Sequence, residues 1–450
     1  MFAQVATVVG ERGCSLGAID LVEATPAVHV RDVTVDCPDE RTGEQLAEDL
    51  RRIAGVRLRN VSDRAFLMHL GSKIETKGRV SVRTRDDLSL VYTPGVARIC
   101  RAIADDPDKV WRLTIRQNTV AVVTDGSAVL GLGAIGPEAA LPVMEGKSLL
   151  FADLAGITAF PLCLATHDPD EIVRTVESVA PVFGGINLED IAAPACFVVE
   201  RELRGRLDIP VFHDDQHGTA IVVLAALQNA AAVVGRPLAE LRVVIAGAGA
   251  AGTATARLLR LGGARDITLC DRHGIVHGDR DDLNEEKREV VRLLGTARHG
   301  SLEDALAGAN VFIGLSGPRI LSLDVLRTMA RPRVVFALAN PDPEIDPLDA
   351  APHVDVLATG RSDYPNQVNN VLAFPGVFRG LLDARARGVS AEVELAAALA
   401  LARTVPPQVR SAEYILPSVF DRRVVPAVAK AVAAATREAG LARKTATGES

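Results

Sequence analysis

The spacing of hydrophobic and polar positions changes several times along this chain. The first 70 residues mix helical periodicity with the strict alternation that predicts strands. A polar stretch over 74–90, broken by Gly78, then predicts a linker into a larger body. This order predicts a small α+β module at the start of the chain. Its expected elements are helices over 2–11 and 40–53 and strands over 16–24, 29–37 and 56–66.

The remainder of the chain alternates short apolar runs with amphipathic helices, which is typical of α/β domains. A long Ala-rich helix over 218–234 divides this part in two. After it, apolar runs follow one another as in a doubly wound parallel sheet. We therefore expect domains at 1–75, 76–218 and 219–450. The expected elements are strands over 120–124, 157–162, 242–246, 267–270, 311–314, 334–338 and 354–357 and helices over 137–151, 169–182 and 424–440.

Composition narrows the class of partner. The 450 residues include 50 Lys and Arg against 57 Asp and Glu, for a net charge of −7 with no basic stripe. This balance argues against nucleic acid and against an anionic membrane as the main partner, and favours a small soluble ligand. The cysteines are scattered without a Cys-x-x-Cys pair, and neither a membrane-spanning run nor an export signal is evident. We expect a cytoplasmic protein with reduced thiols.

A glycine-rich turn follows the predicted strand at 242–246 and opens a helix. Its glycines permit a tight turn and close approach to a pyrophosphate, and the helix N-terminus supplies free N–H groups. Asp271 ends the next strand, where a carboxylate can hold a ribose diol and repel a 2′-phosphate. NAD is thus favoured over NADP, although Arg272 and His273 beside Asp271 weaken that preference. The turn consists of Gly247, Ala248, Gly249, Ala250, Ala251 and Gly252.

Two carboxylate pairs precede this turn, Glu189-Asp190 and Asp214-Asp215. A single pair on a loop is usually solvated charge, but hard divalent cations need oxygen ligands. Two pairs next to a dinucleotide turn therefore indicate one site that handles both a hydride and a metal-held organic acid.

Several motifs closely resemble the malic enzymes of the short bacterial type, in order over roughly residues 92–380. The resemblance implies a malic-enzyme-like N-terminal α/β domain followed by a Rossmann-type NAD(P)-binding domain. It also implies oxidative decarboxylation of (S)-malate to pyruvate and CO₂. The motifs are Val91-Tyr92-Thr93-Pro94-Gly95-Val96-Ala97, Thr124-Asp125-Gly126, Pro142-Val143-Met144-Glu145-Gly146-Lys147, Ile186-Asn187-Leu188-Glu189-Asp190, His213-Asp214-Asp215-Gln216-His217-Gly218-Thr219, Ala339-Asn340-Pro341-Asp342-Pro343-Glu344 and the stretch 359–370.

By this resemblance, Tyr92 is the general acid that protonates enolpyruvate, and Lys147 is the general base for the malate hydroxyl and contacts substrate. In isolation the two would be interpreted as a core tyrosine and a surface lysine. Lys147 must be neutral to act, so we expect burial and a nearby metal ion to lower its pKa. Asp214 is expected to hold Lys147 or to lie behind the metal ligands.

The resemblance further implies that Mg²⁺ or Mn²⁺ is held by Glu189, Asp190 and Asp215. It assigns Asn340 and Asn370 to the substrate carboxylate, with Asn340 and Thr219 also facing the nicotinamide cofactor. His213 and His217 are interpreted as structural. Larger malic enzymes carry an arginine after the Thr-Asp-Gly triplet, where this chain has Ser127-Ala128, and Ala134 replaces a common polar residue. Carboxylate recognition is then left to the metal, Asn370, backbone N–H groups or Arg361.

Two alternatives stay open at this point. A malolactic enzyme would retain the cofactor and release lactate, and an inert protein would only sense an amino acid through its first module. That module resembles an ACT domain that lacks its first strand and Pro-Gly turn, so either the start is misplaced or the module is incomplete. It would serve amino-acid regulation or only docking. A homodimer or larger assembly is expected, because such modules pair their sheets and the malic enzymes are oligomeric.

Overall fold

The computed structural model describes residues 2–26 and 28–443, and the chain divides into two compact units, Met1–Lys73 and Ile74–Ser450. In the first unit, two strands pair antiparallel, with Ser15 opposite Asp36. Asp39 caps the helix that follows by accepting the Thr42 N–H at 2.7 Å. The elements are α1 (Phe2–Glu11), β1 (Ser15–Ala24), β2 (His29–Asp36), α2 (Glu40–Arg52) and α3 (Arg64–His69).

The third strand expected over 56–66 was a wrong prediction. Residues 56–63 form a loop, and Asp63 begins α3 by accepting the Ala65 N–H at 2.6 Å. No side chain between 56 and 66 is buried. Alternation stabilises a strand only when one face is buried, and here neither face is. The sheet of this unit therefore contains β1 and β2 alone among the described residues.

The second unit begins with short helices, α4 (Arg85–Val91), α5 (Val96–Asp105) and α6 (Val110–Leu113). The stretch predicted as a linker thus contains most of α4. The helix starts there because Thr84 and Asp87 form a capping box, in which the Asp87 N–H donates to Thr84 at 3.0 Å. Such a box satisfies free N–H groups even in a polar sequence.

Parallel strands in the order β4-β3-β5-β6 form the first sheet of this unit. The central strand, β3, is fully buried. Loops at the carboxyl ends of neighbouring parallel strands lie together, which is where such sheets bind ligands. The elements are β3 (Thr119–Thr124), α7 (Pro137–Ala155), β4 (Thr158–Cys163), α8 (Pro169–Val179), β5 (Gly185–Leu188), α9 (Ala195–Arg206) and β6 (Val211–His213).

The second sheet has the order β12-β11-β10-β7-β8-β9, parallel except for the edge strand β9. It is the doubly wound sheet that the sequence predicts. The elements are α10 (Thr219–Val233), β7 (Arg242–Ala246), α11 (Ala250–Leu261), β8 (Asp266–Asp271), β9 (Gly274–Ile275), α12 (Glu285–Leu294), α13 (Leu302–Leu306), β10 (Val311–Gly314), α14 (Leu323–Thr328), β11 (Val334–Ala337), α15 (Pro347–Ala350), β12 (Val356–Thr359), α16 (Phe374–Asp383), α17 (Ala391–Arg403) and α18 (Val424–Glu438).

One hydrophobic core joins the two sheets. It includes Val120 and Phe212 from the first sheet and Val243 from the second, and α10 runs through it almost completely buried. A helix that is apolar on all faces is stable only in such an interior. This packing fixes the ends of the first sheet relative to the glycine-rich turn. Among the described residues, no helix is both long and apolar enough to cross a membrane.

Candidate active site

Four carboxylates meet at the carboxyl ends of β5 and β6. Glu189 and Asp190 follow β5, and Asp214 and Asp215 follow β6 in a single turn of π-helix. The parallel register sets the last residues of the two strands side by side, so the acidic residues leave neighbouring strand ends. The sequence separates the two pairs by more than twenty residues, and the sheet brings them together.

Glu189, Asp190 and Asp215 form a compact group of oxygen ligands. One carboxylate oxygen from each lies within 4.8 Å of the other two. The Asp190 N–H donates to Asp215 Oδ2 at 2.8 Å, and Asp190 has a φ of +53°, a left-handed conformation that non-glycine residues adopt rarely. Asp190 Oδ2 is buried without a hydrogen-bond partner. A hard divalent cation fits this donor set.

Lys147 projects from α7 into the same pocket. Its Nζ lies 2.5 Å from Glu189 Oε2 and 2.5 Å from Asp214 Oδ2, and its side chain is only 10% exposed. Asn370 continues the network by donating to Asp214 Oδ2 at 3.1 Å and accepting from the Thr219 hydroxyl at 3.2 Å. Lys147, Asp214 and Asn370 were expected to serve as base, support and substrate contact. Hydrogen bonds thus link all three.

The charges in this pocket do not balance. Burial by itself lowers the pKa of Lys147, but Asp214 and Glu189 outweigh it, and the pKa of Lys147 is raised. The carboxylates that surround the ammonium group thus act against the lowering that was expected from burial and a metal ion, and burial alone does not achieve it. Burial and then the charge of Asp215 raise the pKa of Asp190 to about 7. A divalent cation would offset the excess of negative charge.

The glycine-rich turn lies after β7 as predicted. Gly247 has a φ of +115°, and a Cβ there would overlap the Leu315 carbonyl oxygen. A Cβ on Gly252 would overlap the carbonyl oxygen of Gly247. The helix α11 begins behind Gly249 without a side-chain cap. Its first N–H groups are therefore available to a pyrophosphate.

Comparison with known proteins agrees with both the carboxylate pocket of the first sheet and the glycine-rich turn of the second. The family model of the malic enzyme N-terminal domain matches residues 71–204, and that of the malic enzyme NAD binding domain matches residues 216–438. The chain belongs to the malic enzyme family. That family consists of decarboxylating oxidoreductases, and its second domain binds NAD.

The chain is also similar to individual malic enzymes of several bacteria. The NAD-dependent malic enzyme of Geobacillus stearothermophilus is 53% identical over 98% of this chain and 93% of its own length. The bifunctional malic/malolactic enzyme of Bacillus subtilis (strain 168) is 53% identical over 83% of this chain and 92% of its own. The solved NAD-dependent malic enzyme from Thermotoga maritima has a TM-score of 0.80 at 46% identity, over 83% of this chain and 99% of that one.

Asp271, expected to hold the cofactor ribose, ends β8 among several hydrogen-bond donors. Arg280 donates to both of its oxygens at 2.9 and 3.0 Å, Lys287 donates at 2.6 Å, and the His273 N–H donates at 2.9 Å. A carboxylate has about four acceptor positions, and these bonds fill them. Burial raises the pKa of Asp271, but the hydrogen bonds from Arg280 and Lys287 hold it well below its usual range. A ribose diol at Asp271 would therefore compete with these donors for the carboxylate oxygens.

Sequence reasoning missed several partners of these malic enzyme residues. Asn187 donates to Glu189 Oε2 at 3.0 Å, and His213 Nε2 lies 3.2 Å from Asp215 Oδ2. Asn187 belongs to the same motif as Glu189, which was an available signal. Arg280 and Lys287 carried no such signal, because only the fold of the loop after β9 and of α12 brings them to Asp271.

The two histidines interpreted as structural occupy ion-pair or hydrogen-bonded positions. His217 lies between Glu200 Oε1 at 2.8 Å and Glu394 Oε1 at 3.0 Å, and His213 contacts Asp215. Burial alone lowers the pKa of His217, but these two glutamates outweigh it and raise the pKa to about 9. A charged His217 is not a metal ligand, so this placement agrees with a structural role.

Three further residues have different outcomes. Asn340 lies against the site loop, since a Cβ on Gly131 would be 2.7 Å from the Asn340 carbonyl oxygen. Arg361 instead pairs with Asp363 at 2.7 Å and stacks near Tyr364, so its charge is already engaged. Tyr92 is 66% exposed, and no hydrogen bond joins its hydroxyl to any described residue. Among the described residues, no hydrogen bond thus links the Tyr92 side chain to the network around Lys147.

Proposed function

We propose roles for individual residues in an enzyme that oxidatively decarboxylates malate to pyruvate and CO₂ and reduces NAD. Lys147 is the general base for the malate hydroxyl, and Tyr92 is the general acid that gives its phenolic proton to the enolpyruvate carbon. The observation that supports this most strongly is the convergence of Lys147, Asp214 and three metal-type carboxylates in one buried pocket.

Glu189, Asp190 and Asp215 are the residues that would hold Mg²⁺ or Mn²⁺. Such an ion acts as a Lewis acid that stabilises developing enolate charge. The unpartnered Asp190 Oδ2 and the uncompensated negative charge of the pocket support this assignment. Asn187 and His213 would orient the ligands through their contacts with Glu189 and Asp215.

Lys147 accepts a proton only in its neutral form. That form is favoured once the negative charge of its neighbours is balanced. Asp214 holds the Lys147 amine in place, and Asn370 holds Asp214 while presenting its amide to a substrate carboxylate. Thr219 and Asn340 complete the side of the pocket that faces the cofactor. The Phe374 ring, 4.5 Å from Nζ, keeps water from one side of the amine.

A steady-state assay tests this function. Purified protein with malate and Mn²⁺ should produce NADH and pyruvate in equal amounts, with NAD⁺ and NADP⁺ compared side by side. Lactate without a rise in absorbance at 340 nm would indicate the malolactic alternative, and no turnover would indicate an inert sensor. The comparisons favour oxidative decarboxylation over both.

We further propose that the domains are 1–75, 76–218 and 219–450, and that the first is an ACT-like module of a cytoplasmic enzyme. The element order α1-β1-β2-α2 supports the ACT-like module. The free cysteines support a cytoplasmic location. An amino-acid effector at this module is tested by titrating amino acids against malate turnover, where a change in KM would support it and no change would favour docking alone.

A further inference from the structure

A second group of metal-type side chains lies at the edge of the second sheet and is separate from the carboxylate pocket. It consists of His277 and Asp279, on the loop after β9, and His299, on the segment between α12 and α13. One donor atom from each residue lies within 4.8 Å of the other two. The proposed reaction uses none of these residues, so the cluster needs an explanation of its own.

The backbone holds the side chains of this cluster together. The Ile275 N–H donates to the Gly300 carbonyl at 2.9 Å, so β9 lies against the segment between α12 and α13. The Arg280 N–H donates to the His277 carbonyl at 3.3 Å, in a turn that contains the acidic member of the cluster. The imidazole rings of His277 and His299 are in contact, with centroids 3.9 Å apart. The cluster is therefore built on two segments that main-chain bonds already join.

The donor atoms have nearly the spacing of a tetrahedral site. Zn²⁺ bonds to nitrogen and oxygen ligands of about 2.0–2.1 Å set neighbouring ligand atoms about 3.3 Å apart. Asp279 Oδ2 lies 3.2 Å from His299 Nε2 and 3.8 Å from His277 Nδ1. The first separation fits this geometry, and the second requires a shift of about half an ångström. The Asp279 side chain is 78% exposed, so a rotation can supply that shift.

His277 has a ring nitrogen whose hydrogen-bonding capacity is not used. Its Nδ1 is buried without a hydrogen-bond partner, in a side chain that is 15% exposed. At 3.8 Å, Asp279 Oδ2 is too distant to form a hydrogen bond with this nitrogen. A buried polar atom without a partner costs free energy. A metal ion between the two atoms would satisfy both of them.

The neighbouring arginines do not neutralise Asp279. Arg280 pairs with Asp271 at 2.9 Å. Arg298 pairs with Asp266 at 3.0 Å. Among the described residues, the ion pairs of Asp279 are with the two histidines of the cluster. The carboxylate thus stays available to a cation, and its exposure leaves an entry path and room for water as a fourth ligand.

We propose that His277, Asp279 and His299 bind one transition-metal ion of the Zn²⁺ class. Imidazole nitrogens suit such ions, whereas Mg²⁺ and Mn²⁺ prefer the all-oxygen ligands of the carboxylate pocket. The ion would join the loop after β9 to the segment between α12 and α13. It would thereby fix the loop from which Arg280 reaches Asp271. The competing explanation is a plain ion pair between a charged histidine and Asp279.

Calorimetric titration of the full chain with Zn²⁺, without a histidine tag, tests this site. The Asp190→Asn variant serves as the parent, and excess Mg²⁺ is present to occupy any remaining oxygen site. One Zn²⁺ per chain should still bind, because nitrogen ligands disfavour Mg²⁺. His299→Ala and Asp279→Asn should each weaken this binding at least about 100-fold. His353→Ala, at a histidine that contacts Arg327 outside the cluster, should leave the affinity unchanged.

The titration distinguishes a metal site from a plain ion pair. No Zn²⁺ binding by the Asp190→Asn parent, or equal affinity in the parent and in His299→Ala, would overturn the proposal. His299 and Asp279 have side chains that are 57% and 78% exposed, so neither substitution removes a buried contact. Circular dichroism checks that each variant keeps the fold of its parent. The readout is Zn²⁺ affinity rather than malate turnover, so its failure is distinct from a failure of the proposed function.

Discussion

The pocket around Lys147 and the pocket around Asp271 are both built from buried charge, but their charges are balanced differently. At Lys147, several carboxylates share one ammonium group, and burial and mutual repulsion raise the pKa values of Glu189, Asp190 and Asp214. At Asp271, one carboxylate is held by Arg280 and Lys287, and its pKa is lowered. The first pocket carries an excess of negative charge, whereas the charge of the second is matched within the chain.

This difference distinguishes a ligand site from a structural site more sharply than the residue types do. Both pockets contain aspartates at the carboxyl ends of parallel strands, where ligands are expected. Only the pocket with uncompensated charge and an unpartnered oxygen, that of Asp190, is suited to bind an ion. Buried charges are tolerated when they are paired. An unpaired buried carboxylate is stabilised by binding a metal ion or a proton.

The largest effect is expected at the amine of the first pocket. Lys147→Ala removes the proposed base and should lower kcat by about 10³-fold, the usual range for a general base. Lys109→Ala, at a half-exposed lysine that pairs with Asp106, is the matched control and should leave kcat unchanged. Steady-state turnover of malate measures both. A kcat within threefold of wild type for Lys147→Ala would contradict the assignment.

The second prediction compares how one substitution in each pocket changes the unfolding free energy. Asp190→Asn removes one of the crowded carboxylates. In EDTA at pH 8, the unfolding free energy of the variant should therefore exceed that of wild type by about 1 kcal/mol. The pKa of Asp190 is raised from 3.8 to about 7, so its destabilising effect sets in as pH rises through that window.

Asp271→Asn should instead destabilise the protein by about 3 kcal/mol, because it leaves Arg280 and Lys287 without their anion. Urea unfolding in EDTA compares the two variants. The contrast drawn between the pockets would fail if both variants lost stability by similar amounts.

A third prediction uses the balanced cluster at Glu200. Burial raises the pKa of this carboxylate, but His217 and Arg204 outweigh it and lower the pKa from 4.5 to about 2. Its contribution is therefore fully present above pH 4.5 and is lost as pH falls toward 2. Glu200→Gln should lower the unfolding free energy by about 2 kcal/mol at pH 7 and by less at pH 3.5. Glu202→Gln, on the same helix but half-exposed, should cost under about 0.5 kcal/mol at both pH values.

The smallest effect is expected for the cofactor. Lys287→Met removes a cation from the Asp271 pocket and frees one acceptor position on its carboxylate. The ratio of kcat/KM for NAD⁺ to that for NADP⁺ should then rise, by about tenfold. Arg292→Met, on the same helix and paired with Glu285, serves as the control. An unchanged ratio would mean that Asp271 and its partners do not face the adenosine ribose.

Much of the fold followed from periodicity, since the buried strands β3, β7 and β10 and the glycine-rich turn lie where their apolar runs predicted them. The strand expected over 56–66 failed because alternation alone does not show whether a face is covered. At the site, motifs located Lys147 and the metal-type carboxylates. The raised pKa of Lys147 and the saturation of Asp271 depend on distances between residues far apart in sequence, which periodicity does not encode.

The central claim is that Glu189, Asp190 and Asp215 hold one divalent cation beside Lys147. Titration of the purified protein with Mn²⁺, followed by the electron paramagnetic resonance of the free ion, tests it most directly. We predict one tight site per chain in wild type and at least about 100-fold weaker binding in Asp190→Asn, with Glu202→Gln as a control outside the pocket. Equal Mn²⁺ affinity in wild type and Asp190→Asn would contradict the claim.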